Sequence, residues 1–205
     1  MTELRTAVPA TETEVPRDRL LRAAGELFYE HGFHAVGIDL IVERAGVAKA
    51  TLYRHFPTKD DLIAAYLADA DRRFWAWLDD AVDSASSPAT TLARVFDAVA
   101  QLATSPICLG CTFQVTAAEF PDPAHPGHRV ALAHKQAVRR RLYELAVAAD
   151  AARPIELADG LLLLMDGAFA AARMNAPDNP GRHVAAAARA LIAAHIPARR
   201  SAGRR

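Results

Sequence analysis

The stretch Ile38–Lys59 constrains this chain most, because it has the pattern of two short helices joined by a tight turn. Its first part spaces apolar residues to form one stripe on a helix over Ile38–Ala45. Gly46 follows at once, and glycine is favoured where a helix ends in the left-handed conformation. A second helix begins two residues later and carries Leu52 and Phe56, one turn apart, on its inner face.

This spacing leaves the other side chains of the second helix on its outer and flanking faces, and they are Lys49, Ala50, Thr51, Tyr53, Arg54 and His55. A helix–turn–helix has this arrangement: the first helix braces, and the second lays a polar face in the DNA major groove. The stretch therefore predicts binding to double-stranded DNA.

The outer side chains suggest separate roles at a DNA interface. Lys49 has the reach to donate to a guanine edge, and Ala50 is short enough to contact a thymine methyl group. We expect the sugar–phosphate backbone to be contacted by Thr51, Tyr53 and His55. For Arg54 the spacing leaves both base and phosphate contacts open.

The string AGVAKATLYRHFPTKDDL, residues 45–62, resembles the DNA-binding signature of the tetracycline-repressor (TetR) family of bacterial transcription regulators. The close resemblance covers about the first quarter of the chain. It implies an all-α protein with an N-terminal helix–turn–helix domain and a C-terminal helical domain for ligand binding and dimerisation. It also implies that Lys59 contacts the DNA backbone. Two positions depart from the family pattern, since Gly37 replaces the usual Ser or Thr cap and Val42 replaces a smaller Ala.

Composition agrees with an all-α protein, because 52% of the residues are hydrophobic and recognisable strands are almost absent. The formal net charge is zero, so bulk charge does not indicate nucleic acid.

Two cysteines exclude a disulfide-rich secreted scaffold. The N-terminal residues have no apolar signal segment, and the longest apolar run, Leu157–Met174, contains two aspartates and is too short for a comfortable membrane span. We predict a cytoplasmic protein.

The predicted organisation has four parts. Residues 1–15 form a disordered arm, 16–57 the DNA-binding domain, 58–197 the ligand-binding and dimerisation domain, and 198–205 a basic tail. Within them, Pro16 begins a helix that Gly32 ends. Thr58 caps the fourth helix with Asp61 in a capping box, and that helix extends to about residue 83. A further helix is predicted to start at Pro106.

The second domain is expected to hold a small, mostly hydrophobic effector. Its aromatic and apolar candidates for the pocket walls are Trp75, Trp77, Phe96, Phe113, Phe120, Met165 and Phe169. Gln114, Glu119 and His134 are the polar groups expected to orient the effector.

The last two helices, predicted over 155–174 and 181–196, favour a homodimer. The first is apolar nearly all round, so it must be covered on more than one side. The second has an alanine-rich stripe that permits close helix approach. The interface residues expected from these patterns are Leu161, Leu164, Ala168, Ala185, Ala188 and Leu191.

The favoured interpretation is a dimeric repressor, with no catalytic residue, metal or cofactor, that a ligand releases from a near-palindromic operator. One alternative is a metal- or redox-sensing regulator using Cys108, Cys111, His125 and His128. A small enzyme using Cys111, Glu119 and His134 is the other, although no nucleophile elbow, phosphate loop or HExxH motif supports it.

Overall fold

A computed structural model describes residues 14–82, 86–174 and 178–196. Every regular element in these ranges is a helix, as predicted. The α-helices are α1 Pro16–His31, α2 Ile38–Ala45, α3 Lys49–His55, α4 Lys59–Ala81, α5 Pro88–Ala103, α6 Thr112–Glu119, α7 Pro126–Ala148, α8 Pro154–Met174 and α9 Val184–His195, with a 3₁₀ turn at Pro180–His183 before α9. Nearly all of the predicted N-terminal arm and the whole basic tail lie outside the described residues. None of the described helices is long and apolar enough to cross a membrane.

The ends of α1 and α4 confirm the local signals in the sequence. Pro16 stands in the first turn of α1, and Gly32 ends that helix with φ 82° while its amide donates to the Phe28 carbonyl oxygen at 2.9 Å. At α4, the Asp61 amide donates to Thr58 Oγ1 at 3.1 Å, and the Thr58 amide donates to Asp61 Oδ2 at 3.1 Å. This reciprocal pair is the predicted capping box, with Asp in place of Glu.

The prediction of a helix starting at Pro106 is wrong, because α6 begins only at Thr112. The segment before α6 contains Gly110, whose φ of 94° is incompatible with a right-handed helix. A Cβ at this glycine would lie 2.9 Å from the Phe169 carbonyl oxygen, so the close approach requires glycine. The chain therefore turns after α5 and begins a new helix only after this glycine.

The described chain divides into two compact units. The first contains the residues up to Phe74 together with Cys111–Lys135. Its core joins α1, α2 and α3 to the first half of α4, and its largest fully buried side chains are Leu20, Leu27, Phe28, Phe33, Ile41, Leu52, Leu62, Ile63 and Leu67. Phe113 and Ala131, from α6 and α7, share this core. This unit therefore extends well beyond the predicted domain 16–57, because distant helices complete its apolar core.

The second unit comprises Trp75–Gly110 and the residues from Gln136 onward. Within it α9 packs against α5 and α8. Leu92, Phe96 and Val99 of α5 are fully buried, as are Leu157 of α8 and Ala188 of α9. Small residues allow these helices to approach closely, since a Cβ on Gly160 would lie 2.8 Å from Leu191 Cδ2.

Candidate nucleic-acid interface

The turn between α2 and α3 depends on Gly46, which has φ 63° and ψ 41°. Its amide donates to the carbonyl oxygens of Glu43 and Val42, and the Val47 amide donates to Val42 at 3.1 Å. These bonds satisfy carbonyl groups that the end of a helix leaves without intrahelical partners. The left-handed conformation favours glycine, so the residue that ends α2 also sets the direction of α3.

Packing of α3 fixes which of its faces is turned outward. Leu52 is fully buried beside Ile41 of α2 in one core, and Phe56 is buried just after α3 ends. The opposite side is left to solvent, with Lys49, Ala50, Tyr53 and Arg54 exposed and Thr51 half-buried. Gly37, at the start of α2, provides no side-chain cap.

Lys49 forms an ion pair with Asp39 in the first turn of α2. Its Nζ lies 2.7 Å from Asp39 Oδ1. The hydrogen bond to this carboxylate, reinforced by its charge, raises the pKa of Lys49. The cation therefore sits at the start of α3 beside an acidic group that the sequence pattern did not single out.

His55 differs from the other outer residues because one of its ring nitrogens is turned inward. Its side chain is half-buried, and Nε2 is buried with no hydrogen-bond partner among the described residues. A DNA phosphate therefore cannot be reached through Nε2. This leaves Nδ1 as the ring nitrogen for the backbone contact that we predicted.

Lys59 has an internal partner that the sequence did not reveal. Its Nζ donates to the Phe33 carbonyl oxygen at 2.6 Å, and burial lowers the pKa of Lys59. The predicted backbone contact would have to use the remaining ammonium protons. The nearby start of α4 is capped by Thr58 and Asp61, so the amide of Asp61 is already bonded and is not available to a phosphate.

Glu119 holds the corner between α1 and α2, where its carboxylate oxygens already have backbone partners, and its role in orienting an effector stays a prediction. Oε2 accepts from the amides of Phe33 at 2.9 Å and His34 at 2.8 Å, and Oε1 lies 3.1 Å from the Phe33 nitrogen. The His34 ring lies 3.0 Å from the Glu119 carbonyl oxygen. We call these contacts the Glu119 clamp. Because its partners are separated by more than eighty residues, no local pattern in the sequence could have revealed it.

The candidate effector residues divide between the two units. Phe113, Gln114, Glu119, Phe120 and His134 belong to the first unit, and Trp75, Trp77, Phe96, Met165 and Phe169 belong to the second. The second unit contains a cleft beside Met165, lined also by Leu78, Val95, Val138 and Leu142, with a volume of about 10 Å³. That volume holds about one water molecule. It is far below the roughly 300–1,000 Å³ of typical ligand pockets.

His134, expected to orient an effector, is buried in a set of aromatic contacts. Its ring stacks on Phe113 with 3.7 Å between centroids and meets Phe74 edge-on at 4.8 Å. Nδ1 lies 2.6 Å from Asp71 Oδ1. This ring nitrogen is therefore engaged within the first unit.

Among the described residues, no group of three or more His, Cys, Asp or Glu side chains is placed to hold a metal ion. His125 stacks on Phe120, and its Nδ1 accepts from the Gly127 amide at 3.1 Å. His128 Nδ1 lies 2.7 Å from the Phe120 carbonyl oxygen. The imidazoles thus stabilise the proline-rich loop before α7. Cys108 and Cys111 are not joined in a disulfide, and thiol sensing stays a prediction.

Most of the expected dimer-interface residues lie inside the second unit. Leu161 and Ala188 are fully buried, and Ala168 and Ala185 are nearly so. Within one chain, these four residues are covered by the packing of α5, α8 and α9, and their role in a contact between copies stays a prediction. Leu164 and Leu191 are half-buried. The apolar side chains that α8 leaves to solvent are others, namely Ile155, Leu163 (73% exposed) and Met174 (72% exposed).

A left-handed glycine turn, a buried anchor in the second helix and an exposed polar outer face define a helix–turn–helix DNA-binding protein. Comparison with known proteins gives the family. Residues 20–66 match the family described as bacterial regulatory proteins, tetR family. SCO4454, a TetR-family transcriptional regulator from Streptomyces coelicolor, has a similar structure with a TM-score of 0.82 and 38% sequence identity, over 88% of this chain and 95% of that protein. The chain belongs to the TetR family of transcriptional regulators, which are DNA-binding proteins and not enzymes.

Two further relatives differ in how much of the chain they match. A putative TetR-type transcriptional regulator from Streptomyces avermitilis has a TM-score of 0.80 and 34% identity, over 89% of this chain and 98% of that protein. The transcriptional activator FasR from Mycolicibacterium smegmatis is 49% identical over 57 residues, 26% of each chain. The chain thus matches only about a quarter of that curated relative, so the likeness to FasR concerns the DNA-binding region alone.

Proposed function

We propose that this protein is a dimeric repressor that binds a near-palindromic operator through α3 and is released by a small, mostly hydrophobic effector. The observation that carries the proposal is the exposed face of α3, with Lys49, Ala50, Tyr53 and Arg54 opposite the buried Leu52. A helix held in this way can enter the major groove without disturbing the core beneath it.

The polar side chains of this face have two different roles in the proposal. Lys49 reads a base edge, while Arg54 and the hydroxyl groups of Thr51 and Tyr53 position the helix on phosphates. Changing Lys49 to Ala should relax the preference at one base pair by about 1–3 kcal/mol. Losing a phosphate contact, as in Arg54→Ala, should instead weaken binding to all duplexes alike and reduce the salt slope by about one.

Footprinting on the DNA beside the protein's own gene, followed by fluorescence anisotropy over a salt series, tests the DNA-binding roles. Arg72→Ala is the matched control, because Arg72 is an exposed cation of the first unit that lies on α4, about 20 Å along that helix from its start. Equal loss of affinity in Arg54→Ala and Arg72→Ala would contradict the assignment to α3. Equal loss on every sequence in Lys49→Ala would contradict its base-reading role.

Dimerisation supports the near-palindromic operator, since two recognition helices enter successive major grooves when they are about 34–36 Å apart. The exposed apolar side chains of α8 favour this helix as part of the contact between copies. Leu163→Glu should convert the protein to a monomer in sedimentation velocity and abolish tight operator binding. Leu132→Glu on α7, also an exposed leucine, is the control and should leave the dimer intact. A dimeric Leu163→Glu protein would exclude this face.

Effector release rests on linkage, because a ligand displaces the protein from DNA only through its preference for one conformation. The cleft beside Met165 is too small for such a ligand, so binding has to separate the helices that line it. We expect apolar compounds found by thermal-shift screening to lower operator affinity in the same anisotropy assay. Compounds that stabilise the protein without changing its affinity for DNA would contradict the proposed release. A reporter driven from the operator distinguishes repression from activation.

A further inference from the structure

The Asp39–Lys49 ion pair is difficult to explain as a device for folding. Both side chains are largely in solvent, with 82% of the Asp39 side chain and 52% of the Lys49 side chain exposed. Exposed ion pairs of this kind contribute little to stability, because water and salt screen them. The pair also brings a carboxylate to the start of the helix that we propose to enter the DNA groove, where phosphates would repel it.

The chemistry of base edges supplies a reason for this arrangement. In the major groove, a G·C pair presents the guanine N7 and O6 acceptors beside the cytosine N4 donor. Guanine O6 and cytosine N4 are hydrogen-bonded to each other, so they lie about 2.9 Å apart. The Lys49 Nζ and Asp39 Oδ1 atoms lie 2.7 Å apart. A donor and an acceptor on the protein therefore have the spacing of an acceptor and a donor on the base pair.

The hydrogen-bonding capacity of the two groups also agrees. A lysine ammonium group has three donors, and one of them is used by Asp39. The two that remain can reach guanine O6 and N7. The carboxylate keeps free lone pairs that can accept from cytosine N4. An A·T pair also offers a donor beside an acceptor, but guanine provides two adjacent acceptors for the two free ammonium protons.

We propose that Asp39 and Lys49 act as one unit that reads a G·C base pair in each half-site, with Lys49 donating to guanine and Asp39 accepting from cytosine. This assignment rests on the proposed function, since it requires α3 to lie in the major groove. It makes Asp39, a residue of the supporting helix α2, a specificity-determining residue.

The same pair should weaken binding to the wrong DNA. Away from its operator the protein is held by phosphate contacts. There Asp39 keeps Lys49 on the protein and repels the backbone. Removing the carboxylate frees the ammonium group for one more phosphate contact, so Asp39→Asn should bind non-specific duplexes more tightly. The slope of log K against log salt should become steeper by about 0.9, the value for one additional contact.

Selection from a pool of randomised duplexes tests the unit with five proteins: the wild type, Asp39→Ala, Lys49→Met, the double variant of these two, and Glu43→Gln. The wild type should enrich a symmetric motif with a G·C pair in each half-site. Asp39→Ala, which removes the acceptor as well as the charge, and Lys49→Met should both lose preference at that same position, by roughly 5- to 150-fold. The double variant should lose no more there than either single variant, because the two groups act together.

Glu43→Gln is the matched control for charge, since it removes one negative charge from an exposed residue of the same helix. It should retain the preference for the G·C pair. Circular dichroism checks that each variant is folded, and the salt slope on a non-specific duplex gives a measurement independent of the selected motif.

The outcomes separate this inference from the proposed function. If the wild type enriches no motif, the proposed function is wrong and the assignment fails with it. If Asp39→Ala enriches the wild-type motif while Lys49→Met loses one position, the DNA-binding role stands and the composite unit is excluded. Loss at two different positions in the two variants would exclude it as well.

Discussion

The segment Ile38–Asp61 and the second unit are both made of amphipathic helices, but the contacts that define them join residues at different distances along the sequence. In the first, the Gly46 turn and the Thr58 cap join residues only a few positions apart. The second is held by contacts such as Asn179 Nδ2 donating to the Ala103 carbonyl oxygen and Arg173 donating to that of Leu109. Local contacts leave a signature in the sequence, whereas contacts between distant segments do not.

The largest expected effect compares one fully buried leucine from each unit, Leu52 of α3 and Leu161 of α8. Changing either to Ala removes buried methyl groups and leaves a cavity, which should lower the free energy of unfolding by about 2–5 kcal/mol. Trp75 and Trp77 are the only tryptophans and both belong to the second unit. Tryptophan fluorescence therefore reports that unit, while far-UV circular dichroism reports all helices.

Because α4 and α7 each contribute residues to both units, we expect one shared unfolding transition. In urea, Leu52→Ala should move the fluorescence and dichroism midpoints together. A fluorescence midpoint that stayed in place in Leu52→Ala, but moved in Leu161→Ala, would mean that the units unfold separately. The two units would then differ in stability as well as in their contacts.

A smaller effect is expected at Gly32, which adjoins the Glu119 clamp. Its φ of 82° and ψ of 173° belong to a region used almost only by glycine. A Cβ there would lie 2.5 Å from Glu119 Oε1. Gly32→Ala should therefore destabilise the protein by about 1–3 kcal/mol, measured by urea unfolding.

Gly37 provides the control for this change, since its φ is −82° and a Cβ there would have no neighbour within 4 Å. Gly37→Ala should cost less than Gly32→Ala, because it introduces neither a clash nor backbone strain, although alanine is a poorer residue than glycine at the start of a helix. Adding Glu119→Ala to Gly32→Ala removes the steric conflict as well as the clamp, so the two costs should not add. Strictly additive costs would indicate that backbone strain at Gly32, and not its contact with Glu119, determines the effect.

Sequence patterns predicted the all-α fold and the exposed outer face of α3 for physical reasons that are local. The period of apolar residues located α2 and α3, and Gly46 and Gly32 marked the ends of helices through their backbone conformation. Burial of Leu52 then fixed which side chains face outward. Each of these depends on residues within about two helical turns of one another.

Local patterns did not reveal the partners of residues whose contacts lie far along the chain. Glu119 has a carboxylate of the kind that can orient a ligand, but this carboxylate accepts hydrogen bonds from the backbone amides of Phe33 and His34. Leu161 and Ala188 have the pattern of an interface, but neighbouring helices of the same chain cover them. An apolar stripe predicts that something covers it. Whether the cover comes from the same chain or from a second copy depends on tertiary packing that periodicity does not contain.

The side-chain caps at the N-termini of α4 and α5 allow a further comparison between the units, and the expected effect on stability is smaller. Thr58 caps α4 in the first unit, and Ser87 caps α5 in the second by accepting from the Thr90 amide at 3.3 Å. Replacing either by Ala should cost about 1 kcal/mol. We expect the larger loss at Thr58, whose bonds with Asp61 are reciprocal and shorter. A greater loss in Ser87→Ala, measured by urea unfolding of both variants, would contradict this ranking.

The smallest effect concerns the pH dependence of stability at Lys59, whose pKa is lowered by burial. Between its pKa in the folded protein and the ordinary lysine value of about 10.5, the unfolded chain binds more protons than the folded one. Stability from this group therefore rises with pH across that window. Relative to Lys59→Met, the wild type should gain stability as the pH is raised towards 10.

For Lys49 the pH dependence of stability has the opposite sign. Asp39 raises the pKa of Lys49, so the folded protein keeps this proton to a higher pH than the unfolded chain does. Its contribution is present at neutral pH and is lost as the pH rises through the raised pKa. The wild type should therefore lose stability relative to Lys49→Met only at the alkaline end of the titration. Parallel urea titrations of the three proteins measure both differences. If the two curves had the same sign, the contrast between a half-buried lysine bound to a carbonyl and an exposed lysine paired with a carboxylate would be wrong.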